Sequence, residues 1–203
     1  MNKEILLLKG GIQLDVACGA NKQGPDWVGM DYRPLDGVDI VHNLLDFPWP
    51  LPDESVIRAV CSHIVEHIPP HPPDPRLKMF TQLMIDKGVI TANEADERLG
   101  DWQSSSPRFI RFMDELWRVM KSDGQLVIIA PHGLSFGFLQ DPSHCAEFSE
   151  ATFAYFDPLE MRTNGLLYSI YKPKPWKLEV LNWSPESSVE VLMRKRREDY
   201  SYE

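Results

Sequence analysis

The chain has 203 residues, 43% hydrophobic and 25% charged, enough to bury one substantial core, and it reads as a single domain spanning 1-203. Its formal net charge of -9 argues against a protein that clings to nucleic acid, which takes an excess of Lys and Arg to neutralise phosphates, and leaves a small-molecule partner as the simpler expectation. Cys18, Cys61 and Cys145 form no CxxC pair and leave an odd count, which argues against a disulfide framework and suits a reducing cytoplasm.

The N-terminal stretch "MNKEILLLKGG" holds four successive apolar residues. A membrane span needs about 20 and a signal peptide a longer apolar run, so neither an anchor nor an export signal is expected. Five short apolar runs bounded by turn residues follow: "GIQLDVAC", "WVGMD", "VDIVHN", "VIRAVCS" and "QLVIIAP". They read as strands buried on both faces, as in a parallel sheet. Between the last two, residues 68-105 open on the helix-breaking "IPPHPPDP" and continue as a helical segment interrupted at Gly88, a lid-like insertion. Next, "SPRFIRFMDELWRVMKSDG" predicts a helix with Ser106 as N-cap and Pro107 at its first position. Phe109, Met113, Leu116 and Met120 form its apolar stripe with Ile110 and Trp117 beside it, and Lys121 and Gly124 close it. At the end, "WKLEVLNW" and "SSVEVLMRKR" flank the turn "SPE" as an antiparallel hairpin, and the basic run "RKRRE" reads as a solvated strand end. The pattern predicts an α/β fold, an open, mostly parallel Rossmann-like sheet with helices on both faces and an antiparallel C-terminal hairpin.

In such sheets ligands bind at the carboxyl ends of the strands. Asp15 closes the first predicted strand, "ACGAN" turns the chain with small residues whose N–H groups can meet an anion, and Asp31 closes the second strand sixteen residues later. A carboxylate at that second place can accept both hydroxyls of a ribose, so the arrangement points to a nucleoside-bearing cofactor. The glycines fit neither G-x-G-x-x-G nor a P-loop, since Gly24 is followed by Pro25 and Asp26, which disfavours a dinucleotide or a polyphosphate. The plain alternative is a tight turn beside a solvated acid.

On these residues the chain resembles class I S-adenosylmethionine-dependent methyltransferases of the small, type-11-like group. "LDVACGAN" is similar to the glycine-rich first motif, "VGMDYRP" to the ribose-binding acid, and "HNLLDFPWPLPDESV" to the segment crossing the adenine. "CSHIVEH" is similar to the segment after the fourth strand, and "ELWRVMKSDGQLVIIAPH" to the helix and strand that follow. Ala17 and Asn21 stand where glycines are common, and Asn43 where an Asp is frequent. The resemblance implies S-adenosylmethionine as cofactor, with Asp15, Gly19, Asp31 and Asn43 as contacts and Ala17, Cys18, Leu44 and Ser62 as neighbours; Cys18 reads as a small buried hydrophobe. A cofactor-binding but catalytically silent partner domain is the alternative.

"HIVEH" also matches the H-x-x-E-H pattern of inverted zinc peptidases. That chemistry needs both histidines on one helical face, and Pro69 and Pro70 leave too little helix, so no residue is assigned to a metal. For methyl transfer a base must take a proton from the acceptor. The candidates are His63, then His144, then His132, with Glu66 and His67 beside the first; any of them can equally be a satisfied structural group. After the fourth strand there is no D/N-P-P-F/Y motif, nor a Pro-Cys nucleophile pair in the chain, which argues against methylation of DNA bases. Phe148, Phe153 and Phe156 fit one helical face and are expected in the core.

Overall fold

The computed structural model describes residues 10-69, 75-99, 107-160, 168 and 172-197. The chain runs through β1 (Ile12–Val16), β2 (Val28–Asp31), β3 (Ile40–Val41), β4 (Val56–Ser62), a 3-10 turn (Val65–His67), α1 (Pro75–Asp86), α2 (Ala92–Leu99), α3 (Arg108–Val119), β5 (Met120–Pro131), α4 (Phe136–Leu139), α5 (Glu150–Ala154), β6 (Trp176–Trp183) and β7 (Ser188–Lys195). The seven strands join one sheet in the order β3-β2-β1-β4-β5-β7-β6. Pairing is parallel from β3 to β5, and β7 runs antiparallel between β5 and β6. Among the described residues no helix is long and apolar enough to cross a membrane.

Strand register explains the core. Leu14, Ala59, Leu126 and Met193 stand side by side across β1, β4, β5 and β7, and Val16, Cys61, Ile128 and Val191 form the next such row. All eight are buried, and α3 lays Phe112, Met113, Leu116 and Val119 into the same core, with Phe153 of α5 and the neighbouring Phe148 and Phe156. The intervening row, Val60, Val127 and Leu192, lies on the opposite face because side chains alternate along a strand. Those three are half-buried, and Asp15, beside Val60 in the same row, is 4% exposed.

Four local readings change. Pro107 is the N-cap of α3 with extended backbone (ψ 133), not its first helical residue, and Ser106 lies outside the described residues. The helix stops at Val119 because the fully buried Met120 turns extended (ψ 138) and enters the sheet. Lys121 and Gly124 therefore belong to β5, where the register jumps from Val56 opposite Met120 to Arg58 opposite Gln125 and Asp123 takes φ +61. The buried stripe is accordingly Phe112, Met113, Leu116 and Val119, with Phe109 half-buried. Third, Phe148 and Phe156 reach the core from loops on either side of the short α5 rather than from one helical face.

The basic run is the fourth, because it is solvated only in part: Arg197 is exposed, whereas Lys195 is buried. Lys195 is 6% exposed, its ammonium 3.9 Å over the Trp117 ring and donating to the Met120 carbonyl at 2.8 Å. Arg194 pairs with Glu179 at 2.7 Å and Arg196 with the buried Asp157 at 3.1 Å. A backbone carbonyl and an indole face for Lys195, and the Asp157 carboxylate for Arg196, give these two cations partners inside the fold, as burial of charge requires.

Candidate functional site

Crossovers from β1 through β2 to β3 move one way across the sheet, and those from β4 to β5 the other, so the connections part between β1 and β4. A crevice forms at the carboxyl ends of the strands at such a point. Both strands flanking it are followed directly by a non-glycine residue in the left-handed region, Ala17 at φ +59 and His63 at φ +54. Such backbone costs on the order of 1 to 3 kcal/mol and collects at functional sites. Ala17 thus holds the conformation a glycine prefers, whereas Asn21 has no positive φ and needs no glycine. Ala17→Gly should raise stability by about 1 kcal/mol in a denaturant titration, by removing the Cβ clash of a left-handed residue; a loss would show that Cβ packing outweighs the strain.

The chain crosses from β1 to β2 in residues 17-27 without a helix, so the loop is held by carboxylates instead. Asp15 is 4% exposed and accepts the Gln23 N–H at 2.8 Å. Asp31 is 2% exposed; one oxygen accepts the Gly19 N–H at 3.0 Å, and the other accepts the Arg33 backbone N–H at 2.9 Å and its Nε at 3.2 Å. These bonds split the two acids electrostatically. Burial pushes the Asp15 carboxyl above its ordinary pKa, against the single Gln23 bond. Burial would do the same to Asp31, but the Arg33 and Gly19 bonds outweigh it and hold its pKa below the ordinary value. Cys18 between them is half-buried, and burial followed by the charges of Asp15 and Asp31 keeps its thiol protonated, as suits a small hydrophobe. Loop and strand are in close contact here, for a Cβ on Gly29 of β2 would stand 2.7 Å from the Cys18 Sγ.

At the next strand end Asn43 is exposed and its Oδ1 accepts the Leu45 N–H at 3.2 Å. Leu44 is buried, and its carbonyl accepts the Trp49 indole N–H at 3.0 Å. Ser62 ends β4 half-buried. Hydrogen bonds thus bring Asp15, Gly19 and Asp31 together around the 17-23 loop, with Ala17 and Cys18 on it, while Asn43, Leu44 and Ser62 occupy neighbouring strand ends.

The histidines divide. His63 is 61% exposed at its side chain and its Nδ1 lies 3.4 Å from a Glu66 carboxylate oxygen. The next residues form a 3-10 turn and not a helix, with His63 outside it, so the two histidines of "HIVEH" do not share a helical face. Glu66 and His67 instead meet His144 from the loop after α4; the two imidazole centroids are 4.8 Å apart. His132 sits elsewhere, 5% exposed, its Nδ1 accepting the Leu134 N–H at 3.1 Å and its ring stacked 6.0 Å from Trp183. Arg33 and Asp141 were not on the sequence-derived set. Their only signal is adjacency, Arg33 two residues after Asp31 and Asp141 three before His144. A cleft of about 620 Å³ opens between the starts of α3 and α5, lined by Ile110, Cys145, Phe148 and Tyr155 among others.

No protein-family model matches the chain, and no curated protein is significantly similar to it in sequence. Solved structures do resemble it. A SAM-dependent methyltransferase from Thermotoga maritima, titled a possible histamine N-methyltransferase, aligns at 12% identity over 95% of this chain and 86% of its own, with a TM-score of 0.50. SAM-dependent methyltransferases from Archaeoglobus fulgidus (15% identity, 95% of this chain and 90% of that one, TM-score 0.49) and Aquifex aeolicus (15%, 96% and 87%, TM-score 0.45) align similarly. The fold is that of the class I S-adenosylmethionine-dependent methyltransferases, a mostly parallel seven-stranded sheet closed by antiparallel C-terminal strands.

Proposed function

We propose that the chain is a methyltransferase that uses S-adenosylmethionine and acts on a small-molecule acceptor. The observation that carries this is the tie between the Gly19 N–H and Asp31, which sets the small-residue loop after β1 against the acid ending β2, beside the point where the crossovers part. S-adenosylmethionine supplies a methyl already activated by its sulfonium. Asp31 would accept the ribose hydroxyls, the Ala17–Gly19 backbone would face the amino-acid end, and Asn43 and Leu44 would border the adenine. Among the described residues a Cβ on Gly19 would meet only the Arg33 guanidinium, 3.9 Å away, and Arg33, half-exposed and bonded to Asp31, would swing aside to admit the ribose. The exposed His63, at the end of β4, is the foremost candidate to take the acceptor's proton. The insertion would serve as lid; its α1 presents Met79, Phe80 and Leu83 to solvent, an apolar face suited to closing over a bound acceptor.

Calorimetric titration with S-adenosylmethionine, its demethylated product and NAD tests the reading: the first two should bind and NAD should not. Asp31→Ala should weaken S-adenosylmethionine binding by about 1 to 3 kcal/mol, the cost of losing a charged hydrogen-bonding partner. Unchanged affinity in a folded variant would remove Asp31 from the site. Turnover with an extract of acceptors separates an enzyme from a silent binding domain.

A further inference from the structure

We infer that Glu66, His67 and His144 form a binding site for a divalent first-row transition-metal cation. One ligand atom from each lies within 4.8 Å of the other two. Two imidazoles and one carboxylate, with a position left open, are a donor set that zinc and its neighbours take. Donors at about 2.0 to 2.2 Å from a tetrahedral ion stand about 3.3 to 3.5 Å apart, so side-chain rotations closing the present spread by about 1.5 Å suffice.

The independent observation is the state of Glu66. It is 0% exposed, yet among the described residues neither carboxylate oxygen accepts a hydrogen bond. Among the described residues its ion-pair partners are the His63 Nδ1 at 3.4 Å and the His144 Nε2 at 3.9 Å. A buried carboxylate without donors is costly, and a cation answers that cost. The backbone meanwhile fixes the cluster: the Glu66 carbonyl accepts both the Cys145 and Ala146 N–H groups, at 2.9 and 3.1 Å, which holds the His144 loop on the 3-10 turn.

Side-chain hydrogen bonds assign one ring lone pair to each imidazole. The His144 Nδ1 donates to the Phe138 carbonyl at 2.9 Å, so its Nε2 carries the lone pair. That Nε2 lies near both Glu66 and Asp141, the latter at 3.6 Å. Ser143 gives its hydroxyl proton to Asp141 at 2.6 Å and must therefore accept from the His67 Nδ1 at 3.2 Å, which leaves the His67 Nε2 as the second lone pair. A ligating histidine commonly donates its other N–H to a fixed acceptor in this way. The sequence pattern "HIVEH" thus contains two of the three ligands, and the third comes from "DPSH" and not from His63.

Chelator-treated full-length protein, titrated calorimetrically with zinc chloride in the absence of S-adenosylmethionine, tests this independently of the methyltransferase reading. One equivalent should bind. Glu66→Gln and His144→Ala should each lower affinity by more than about 100-fold, since losing even a residue that only supports a ligand costs 10 to 100-fold. Cys145→Ser should change nothing, although its exposed thiol neighbours His144. Glu66→Gln keeps the side-chain shape, and thermal melts of each variant confirm that it is folded. Absence of a stoichiometric site, retention of wild-type affinity in folded Glu66→Gln, or loss of binding in Cys145→Ser would each overturn the inference.

Discussion

Replacing Glu115 with Ala is expected to cost about 3 to 5 kcal/mol of stability, the range for removing one member of a buried ion pair. The Glu115 side chain is 8% exposed. One of its oxygens accepts the Trp49 backbone N–H at 2.6 Å and the Arg118 Nη2 at 2.6 Å, and the other accepts the Arg118 Nε at 2.9 Å. Arg118 also donates to the carbonyls of Leu51 at 3.0 Å and Trp49 at 3.2 Å and to the Asp53 carboxylate. The node therefore staples the 49-53 loop onto α3. Truncation would leave a part-buried guanidinium with the 76% exposed Asp53 as its remaining carboxylate partner beside two backbone carbonyls, and a buried N–H without an acceptor. Asp53→Ala removes the exposed contact alone and should cost less than about 1 kcal/mol. Urea unfolding of the two variants decides: equal losses would show that Glu115 contributes no more than a surface pair.

How legible this was in the sequence depends on the range of the interaction. Strand runs such as "LDVAC" and "LVIIAP" are short, apolar and bounded by turn residues, so local pattern alone locates β1 and β5. Both acids of the candidate site follow from their places at strand ends, Asp31 closing β2 and Asp15 standing one residue before the end of β1. The end of α3 did not follow, because Lys121 and Gly124 are good local stop signals and what overrides them is the burial of Met120 against the sheet. The basic run misleads for the same reason: the partners of Lys195 and Arg196 are Trp117, Met120 and Asp157, all remote in sequence. Likewise "HIVEH" suggests a helical histidine pair, while the fold breaks that pair with a left-handed His63 and joins His67 to His144. Local chemistry names the residues, and tertiary contact decides which of them meet.

Trp49→Ala is expected to cost about 3 to 5 kcal/mol as well, by a different route, since it empties a large volume from the core. The indole is 2% exposed and meets the Phe112 ring edge-on at 5.6 Å. Its N–H also fixes the Leu44 carbonyl at 3.0 Å, and so ties core packing to the segment proposed to border the adenine. Trp49→Phe separates the two roles, because it retains much of the aromatic volume but removes the N–H. It should lose about 1 to 3 kcal/mol of stability through the unpaired Leu44 carbonyl. It should also weaken S-adenosylmethionine binding measurably while Phe112→Leu, which disturbs the same packing without touching Leu44, does not. If both variants bind the cofactor as the wild type does, the 43-45 segment is not part of the cofactor site, and Trp49 serves stability alone.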